Sequence, residues 1–215
     1  VYGVGTNAYN EDSCKMIYKI KNRDEAKPLI VLISNYEMLY DIADELNEVE
    51  RKIIDKFWPG PLTIILKKKK DSKIPNIITA GKEYVGIRMT SGKVATELIE
   101  KSGVPIVAPS ANLSGKPSGT KIADIYGEFS GKVSAIIDAG ESDVGLESTV
   151  VKVINGIPTI LRPGKVTLED ILGAVGIGQI SSRVMEKVKN SQKVECPGMK
   201  YRHYAPETKC ILVLR

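Results

Sequence analysis

The stretch EYVGIRMTSGKVATELIEKSGVPIVAP, Glu83–Pro109, decides the fold. EYVGIRM alternates side chains in the manner of a β-strand, Lys93 to Ser102 has the composition and spacing of a helix, and VPIVAP is again a short apolar, strand-like run. Strand, helix and strand in immediate succession are the signature of an α/β arrangement.

The same alternation extends in both directions. Upstream, PLIVLI (Pro28–Ile33) reads as a buried strand, and Ser34 or Asn35 can cap a helix running to about Leu46. A second helix, about Asn47 to Phe57, ends at WPGPLT, where Pro59 and Pro61 bracket Gly60 and force a turn into the strand LTIIL. Asn10, followed by Glu11 and Asp12, caps a helix to about Arg23, with Lys19, Lys21 and Arg23 at its basic end. Val1–Gly5 has no strand leading into it, so further residues are expected upstream. Downstream, a short helix starts from Thr120, SAIIDAG (Ser134–Gly140) reads as a strand, and STVVKVI and IPTILRPG flank Asn155-Gly156 as a β-hairpin. TLEDIL, with Thr167 and Asp170 in capping positions, predicts a closing helix. Gly176 to Pro206 is polar and poor in pattern, and CILVL begins a strand with little after it. The expected organisation is a catalytic-type domain over 1–177, a linker over 178–209 and the first strand of a second domain over 210–215. The fold class expected is α/β (α+β), a twisted sheet of mixed parallel and antiparallel strands flanked by helices, the hairpin half being antiparallel.

Composition narrows the chemistry. The chain has 215 residues, 42% of them hydrophobic, enough to bury one good core. Cys14, Cys196 and Cys210 are far apart and form no C-x-x-C pair, so neither a zinc knuckle nor a disulfide framework is suggested, and a reducing cytoplasm fits best. No apolar run approaches the roughly 20 residues that cross a bilayer. The one histidine, His203, rules out histidine-cluster metal sites and leaves a Ser-His-Asp relay a single place to run. A net charge of +5, from 31 Lys and Arg against 26 Asp and Glu, points to anionic partners, nucleotides and RNA alike.

The exit of the last strand, APSANLSGKPSGT (Ala108–Thr120), carries hydroxyls at Ser110, Ser114, Ser118 and Thr120, glycines at 115 and 119, and Lys116, with no carboxylate. Such a loop can cradle phosphate, although it matches neither the P-loop nor the G-x-G-x-x-G order, and composition alone slightly favours an ordinary surface turn. Lys21, Arg23, Arg88 and Arg162 all fall at the ends of expected elements. Singly each is a common solvated charge; converging on one sheet they would bind a triphosphate or a carboxylate. Lys67–Lys70 reads as a solvated strand end with some capacity to attract RNA, and Trp58 as packing at the PGP turn.

VYGVGTNA, Lys21-x-Arg23 followed by KPLIVLI, FWPGPLTIIL, VGIRM, PIVAPSANLSGKPS, GLESTVV, ILRPG and PGMKYRHYAP stand in the order seen in the YrdC-like threonylcarbamoyl-AMP synthases. The chain resembles that family over nearly its whole length, and PGMKYRHYAP is similar to the linker of its two-domain branch. The resemblance implies a single YrdC-like domain followed by a linker. It also implies an enzyme, a nucleotidyltransferase, that joins L-threonine, bicarbonate and ATP into threonylcarbamoyl-adenylate with release of pyrophosphate, for modification of the tRNA adenosine beside the anticodon. No protein nucleophile is expected: the carbamate of threonine attacks the α-phosphorus of ATP.

On the same resemblance, ATP contacts fall on Arg23, Lys27, Ser110, Ser118, Arg162 and Tyr201, with Lys21 and Asn112 as supports. Threonine contacts fall on Arg88, the backbone of Ala108, and Ser148. Mg²⁺ is expected to arrive on ATP, tRNA and its threonylcarbamoyl-transfer machinery are the expected partners, and a monomer without membrane attachment is the expected form. Tyr201, His203 and Tyr204 are expected either to dock the linker or to close over the nucleotide as a lid. Leu32 stands where many relatives carry histidine, Asp24 replaces the usual proline after Arg23, and Tyr84 occupies a position where a relative presents threonine to the nucleotide. Two other functions compete: a non-catalytic RNA-binding module, and a carbamoyl-adenylate-forming transferase of the kind found in hydrogenase maturation proteins.

Overall fold

A computed structural model describes residues 1–185. Helix α1 (Glu11–Lys21) starts where Asn10 accepts the amide of Ser13 and stops at Asn22, whose left-handed backbone (φ 48°) ends the helix two residues before the expected Arg23. Strand β2 (Ile30–Ile33) leads into α2 (Tyr36–Ile42), capped by Asn35; α3 (Glu48–Phe57) carries a reciprocal Asn47–Glu50 capping box. Helix α2 ends four residues short of Leu46, because Ala43 leaves it to bridge Lys68 beside strand β3 (Leu62–Lys67). A one-turn helix, α4 (Asn76–Thr79), precedes β4 (Tyr84–Met89), and α5 (Lys93–Ser102) has the expected boundaries.

The mixed sheet is present as expected. Its order is β1-β5-β2-β4-β3-β6-β7-β8, with β1 at Thr6–Asn7, β5 at Ile106–Val107, β6 at Thr149–Ile154, β7 at Ile157–Arg162 and β8 at Gln179–Ile180. Strands β2 and β4 are parallel, β4 and β3 antiparallel, β3 and β6 parallel, and β6 and β7 an antiparallel hairpin turned by Asn155 (φ 50°) and Gly156 (φ 79°). Helices α6 (Ile122–Phe129), α7 (Leu168–Val175) and the short α8 (Ser182–Met185) complete the described chain. No helix among the described residues is long and apolar enough to cross a membrane.

Three expectations need adjustment. SAIIDAG forms no strand. Its residues lie largely exposed, Ile137 is 47% accessible, and the segment is pinned by the Tyr2 hydroxyl, which donates to Asp138 and Gly140 and accepts from the amide of Ala139. The VPIVAP run keeps only two residues of strand, pairing with β1 on one side and β2 on the other. Strand β8 pairs in parallel with β7, so the sheet continues past the boundary at 177 that the sequence implied. From residue 186 onward, the expected linker and terminal strand lie outside the described residues.

One face of the sheet carries the core. Val31, Ile33, Ile64, Leu66, Val85, Ile87 and Val151 pack with Ile17 of α1, Leu39 of α2, Ile53 of α3 and Ile171 of α7. The alternating residues of β2 and β4, namely Ile30, Leu32, Tyr84, Gly86 and Arg88, lie half-buried or exposed on the opposite face. That second face is covered at β3, β6 and β7, where Ile65, Val150 and Leu161 form a small buried cluster, and is more accessible at β2 and β4.

Candidate functional site

The turn between α3 and β3 fixes one wall. The indole of Trp58 is buried and donates to the Leu62 carbonyl at 2.8 Å, in keeping with a packing role. The amide of Gly60 donates to Met89 at 2.9 Å, and the Gly60 carbonyl accepts Arg88 Nε at 2.8 Å. Only glycine fits there, since a Cβ would lie 2.3 Å from the Phe57 carbonyl oxygen. Arg88 is thereby held through Nε, and its terminal nitrogens carry the remaining donors with which it could take a ligand.

A second arginine arrives from the hairpin. Arg162 donates through Nε and Nη2 to the Ser148 carbonyl, at 3.1 and 2.8 Å, and through Nη2 to Ser148 Oγ at 3.1 Å. Ser148 Oγ also lies 2.7 Å from Thr63 Oγ1. Burial, and then the neighbouring Arg162 charge, pull the Arg88 guanidinium down to about 10. Two cations in mutual repulsion at a partly dehydrated place favour an anion between them.

The loop after β5 forms the other wall. Lys21 reaches beneath it from the last turn of α1, and its buried ammonium donates to the carbonyls of Ser110 and Asn112. Asn112 accepts from Ser110 Oγ at 2.6 Å and Ser118 Oγ at 3.3 Å, and donates to the carbonyls of Leu113 and Lys116 at 2.9 and 2.8 Å. Ser118 Oγ also donates to Glu147. The VYGVG segment runs alongside, with a Gly3–Ser110 bridge and the Ala111 amide donating to the Tyr2 carbonyl at 2.7 Å. The loop is therefore a braced platform. Burial, and then Arg23, lower the Lys21 ammonium to about 7.

Contacts thus link most of the residues named from sequence. Lys21, Ser110, Asn112 and Ser118 form one hydrogen-bonded group, and Glu147 joins it to Ser148 and Arg162 by chain adjacency. Arg23 acts on Lys21 and donates through Nη2 to the Pro28 carbonyl at 3.0 Å. Lys21 and Asn112 are buried under the loop and shape it, whereas Arg88, Ser110, Ser118 and Arg162 retain partial access. Ala108 is half-buried where β5 ends, its amide on the Ile30 carbonyl at 3.2 Å and its methyl against Gly3. Lys27 is half-buried after α1, and its carbonyl accepts the Tyr18 hydroxyl at 3.0 Å, outside this hydrogen-bonded group. Tyr201 lies outside the described residues.

Of the departures, Leu32 pairs in register with Arg88 and presents an apolar neighbour to it, and Tyr84 is exposed with Lys152 Nζ 3.9 Å over its ring. Sequence reasoning missed Thr63, Gly60 and Glu147. No spacing announces them; only the WPGPLT and GLEST blocks hinted at special geometry there. Lys67 pairs with Asp44 at 3.2 Å, while Lys68 and Lys69 donate to local acceptors, in keeping with a strand end. Among the described residues no group of three or more His, Cys, Asp or Glu could hold a metal ion.

Comparisons with known proteins bear on the fold and the family. A crystal structure titled as P. abyssi Sua5 complexed with L-threonine superposes with a TM-score of 0.91 at 42% identity, covering 97% of this chain and 60% of that one. Curated threonylcarbamoyl-AMP synthases of Pyrococcus abyssi and Bacillus subtilis are each 43% identical, over 99% and 96% of this chain. The chain spans 62% and 58% of their lengths. E. coli YciO shares the fold, with a TM-score of 0.69 at 22% identity. A profile described as the threonylcarbamoyl-AMP synthase C-terminal domain matches residues 166–215. The Sua5/YciO/YrdC profile, described as "Telomere recombination", matches residues 1–164, which takes in every strand from β1 to β7, and the chain belongs to that family.

Proposed function

We propose that this protein forms threonylcarbamoyl-adenylate from L-threonine, bicarbonate and ATP, releasing pyrophosphate, and so supplies the threonylcarbamoyl group for the tRNA adenosine beside the anticodon. The observation that carries the reading is the meeting of the Arg88 and Arg162 charges, with Arg162 seated on Ser148, beside a hydroxyl-bearing loop that is braced by Lys21 and Asn112 and tied through Ser118 to Glu147. Two anions are expected there. Arg88 takes the amino acid carboxylate in a bidentate pair, with Ser148 and the Ala108 backbone beside it. Arg162, Arg23 and Lys27, with Ser110 and Ser118, take the nucleotide, and Tyr201 is assigned to its cover.

Threonine's amine adds to the carbon of bicarbonate, water departs, and a carbamate results. A carbamate oxygen then attacks the α-phosphorus of ATP in line, and the P–O bond to pyrophosphate breaks. The protein's contribution is to position the reactants and neutralise their charge, which accounts for most of the catalysis in phosphoryl chemistry. Magnesium carried on the triphosphate would offset charge on the leaving pyrophosphate. The buried free thiol of Cys14 is in keeping with a cytoplasmic location.

Pyrophosphate release measured with ATP, bicarbonate and L-threonine tests the reading, and omission of any one substrate should abolish it. Arg88→Ala should raise the KM for threonine by about ten- to a hundredfold, the value of a charge-assisted hydrogen-bonded pair, with a much smaller change for ATP. Threonine-independent release, or salt-sensitive RNA binding without any turnover, would overturn it.

A further inference from the structure

Thr63 is completely buried in β3, on the face of the sheet opposite the main core. Its neighbour two positions on, Ile65, pairs with Gly86, which shares a face with Arg88. A Cβ built on Gly86 would meet Thr63 Cγ2 at 3.4 Å, so the Thr63 side chain stands on that same face. Its hydroxyl has one hydrogen-bond partner among the described residues, Ser148 Oγ at 2.7 Å.

The direction of that bond follows from proton bookkeeping. Ser148 Oγ already accepts from Arg162 Nη2 at 3.1 Å. If Ser148 donated to Thr63, the Thr63 proton would be left unmade in a fully buried position, which is the costly case for a polar group. If Thr63 donates instead, the proton of the fully buried residue is used, and the spare proton falls to Ser148, which is buried but 4% exposed. The second arrangement is favoured because it leaves the spare donor on the less buried of the two hydroxyls.

We propose that Thr63 is a positioning residue for substrate recognition: it donates its hydroxyl proton to Ser148 and so turns the Ser148 O–H toward the carboxylate of the amino acid held by Arg88. The inference rests on the amino acid reading of the Arg88 site. Thr63 touches no substrate itself. Its neighbour in the sheet on the other side of Arg88 is Leu32, in register on β2, so the carboxylate site is hydroxyl-lined on the β3 side and apolar on the β2 side.

Thr63→Val keeps the shape and removes the hydroxyl, whereas Thr63→Ser keeps the hydroxyl and removes a methyl. L-Threonine binding by calorimetry and steady-state pyrophosphate release are measured for both variants and the parent. Thr63→Val should weaken threonine binding and raise its KM by about five- to tenfold, the value of one hydrogen bond, with kcat and the KM for ATP changed less than about twofold. Thr63→Ser should restore threonine binding to within about twofold even where its thermal stability falls, and Thr63→Val should add nothing in a Ser148→Ala background. If Thr63→Val does not fold, Thr63→Ala against Thr63→Ser isolates the hydroxyl in the same way. Equal threonine affinity with and without the hydroxyl, or damage that follows the lost methyl, overturns the inference while leaving the synthase reading intact. Failure of the parent to bind threonine overturns the synthase reading instead.

Discussion

Gly164, directly after Arg162-Pro163, is a place where one methyl group should unsettle both stability and the site. A Cβ there would lie 2.6 Å from the Glu147 carbonyl oxygen, 2.6 Å from the Thr149 amide nitrogen and 2.8 Å from Thr149 Oγ1. These atoms cannot simply step aside. The Thr149 amide donates to the Pro61 carbonyl at 3.0 Å, and Thr149 Oγ1 donates to the Val166 carbonyl at 2.8 Å and accepts the Val166 amide at 3.1 Å. Relieving the overlap means weakening at least one of these buried bonds. Overpacking typically costs about 1–3 kcal/mol and a buried hydrogen bond about 1 kcal/mol more, so Gly164→Ala should destabilise by about 2–4 kcal/mol. For a chain of this size that is a fall in Tm of roughly 4–16 °C. Ser148 sits between the two clashing residues and holds Arg162, so the KM for threonine should rise in parallel. Gly156→Ala is the control: its backbone is left-handed at φ +79° with nothing within 4 Å, so it carries backbone strain alone, about 1 kcal/mol, and leaves the KM unchanged. Urea unfolding with a constant m-value measures both. A Gly164→Ala protein within about 0.5 kcal/mol of the parent would refute the steric argument.

Lys21 should leave a mark on the pH dependence of stability. Its folded pKa, about 7, lies below the ordinary 10.5, so between these values the unfolded chain holds a proton that the folded one has lost, and stability rises with pH across that window. Between pH 7 and 9 the parent should gain about 2–3 kcal/mol relative to Lys21→Met, read from urea midpoints at each pH, and parallel curves would count against it. Asn112→Ala removes the amide that ties Ser110 and Ser118 to the loop backbone, and should raise the KM for ATP by about tenfold or more while changing that for threonine less than about threefold. An equal rise in both would place the loop differently.

Local rules made much of the fold legible. Asn10, Asn35, Asn47 and Thr167 all cap helices, and Asn155-Gly156 turns a hairpin, because each effect acts within a few residues of the side chain responsible. SAIIDAG shows where local reading stops. Its apolar residues look like a strand, but a strand exists only where a neighbour supplies hydrogen bonds, and among the described residues none pairs with it. The site is a similar case. Sequence named Arg88 and Arg162 as cations at element ends and Ser110 as a loop hydroxyl, the ordered blocks around them were enough to identify the family, and Ser148 was named only through that resemblance. That Lys21 braces a loop from below, that Gly60 aims Arg88, and that Thr63 meets Ser148 across 85 positions was decided by the tertiary structure alone. Propensity and capping are encoded in neighbours along the chain, whereas the direction of a buried proton or the separation of two guanidinium groups depends on which strands the sheet sets side by side.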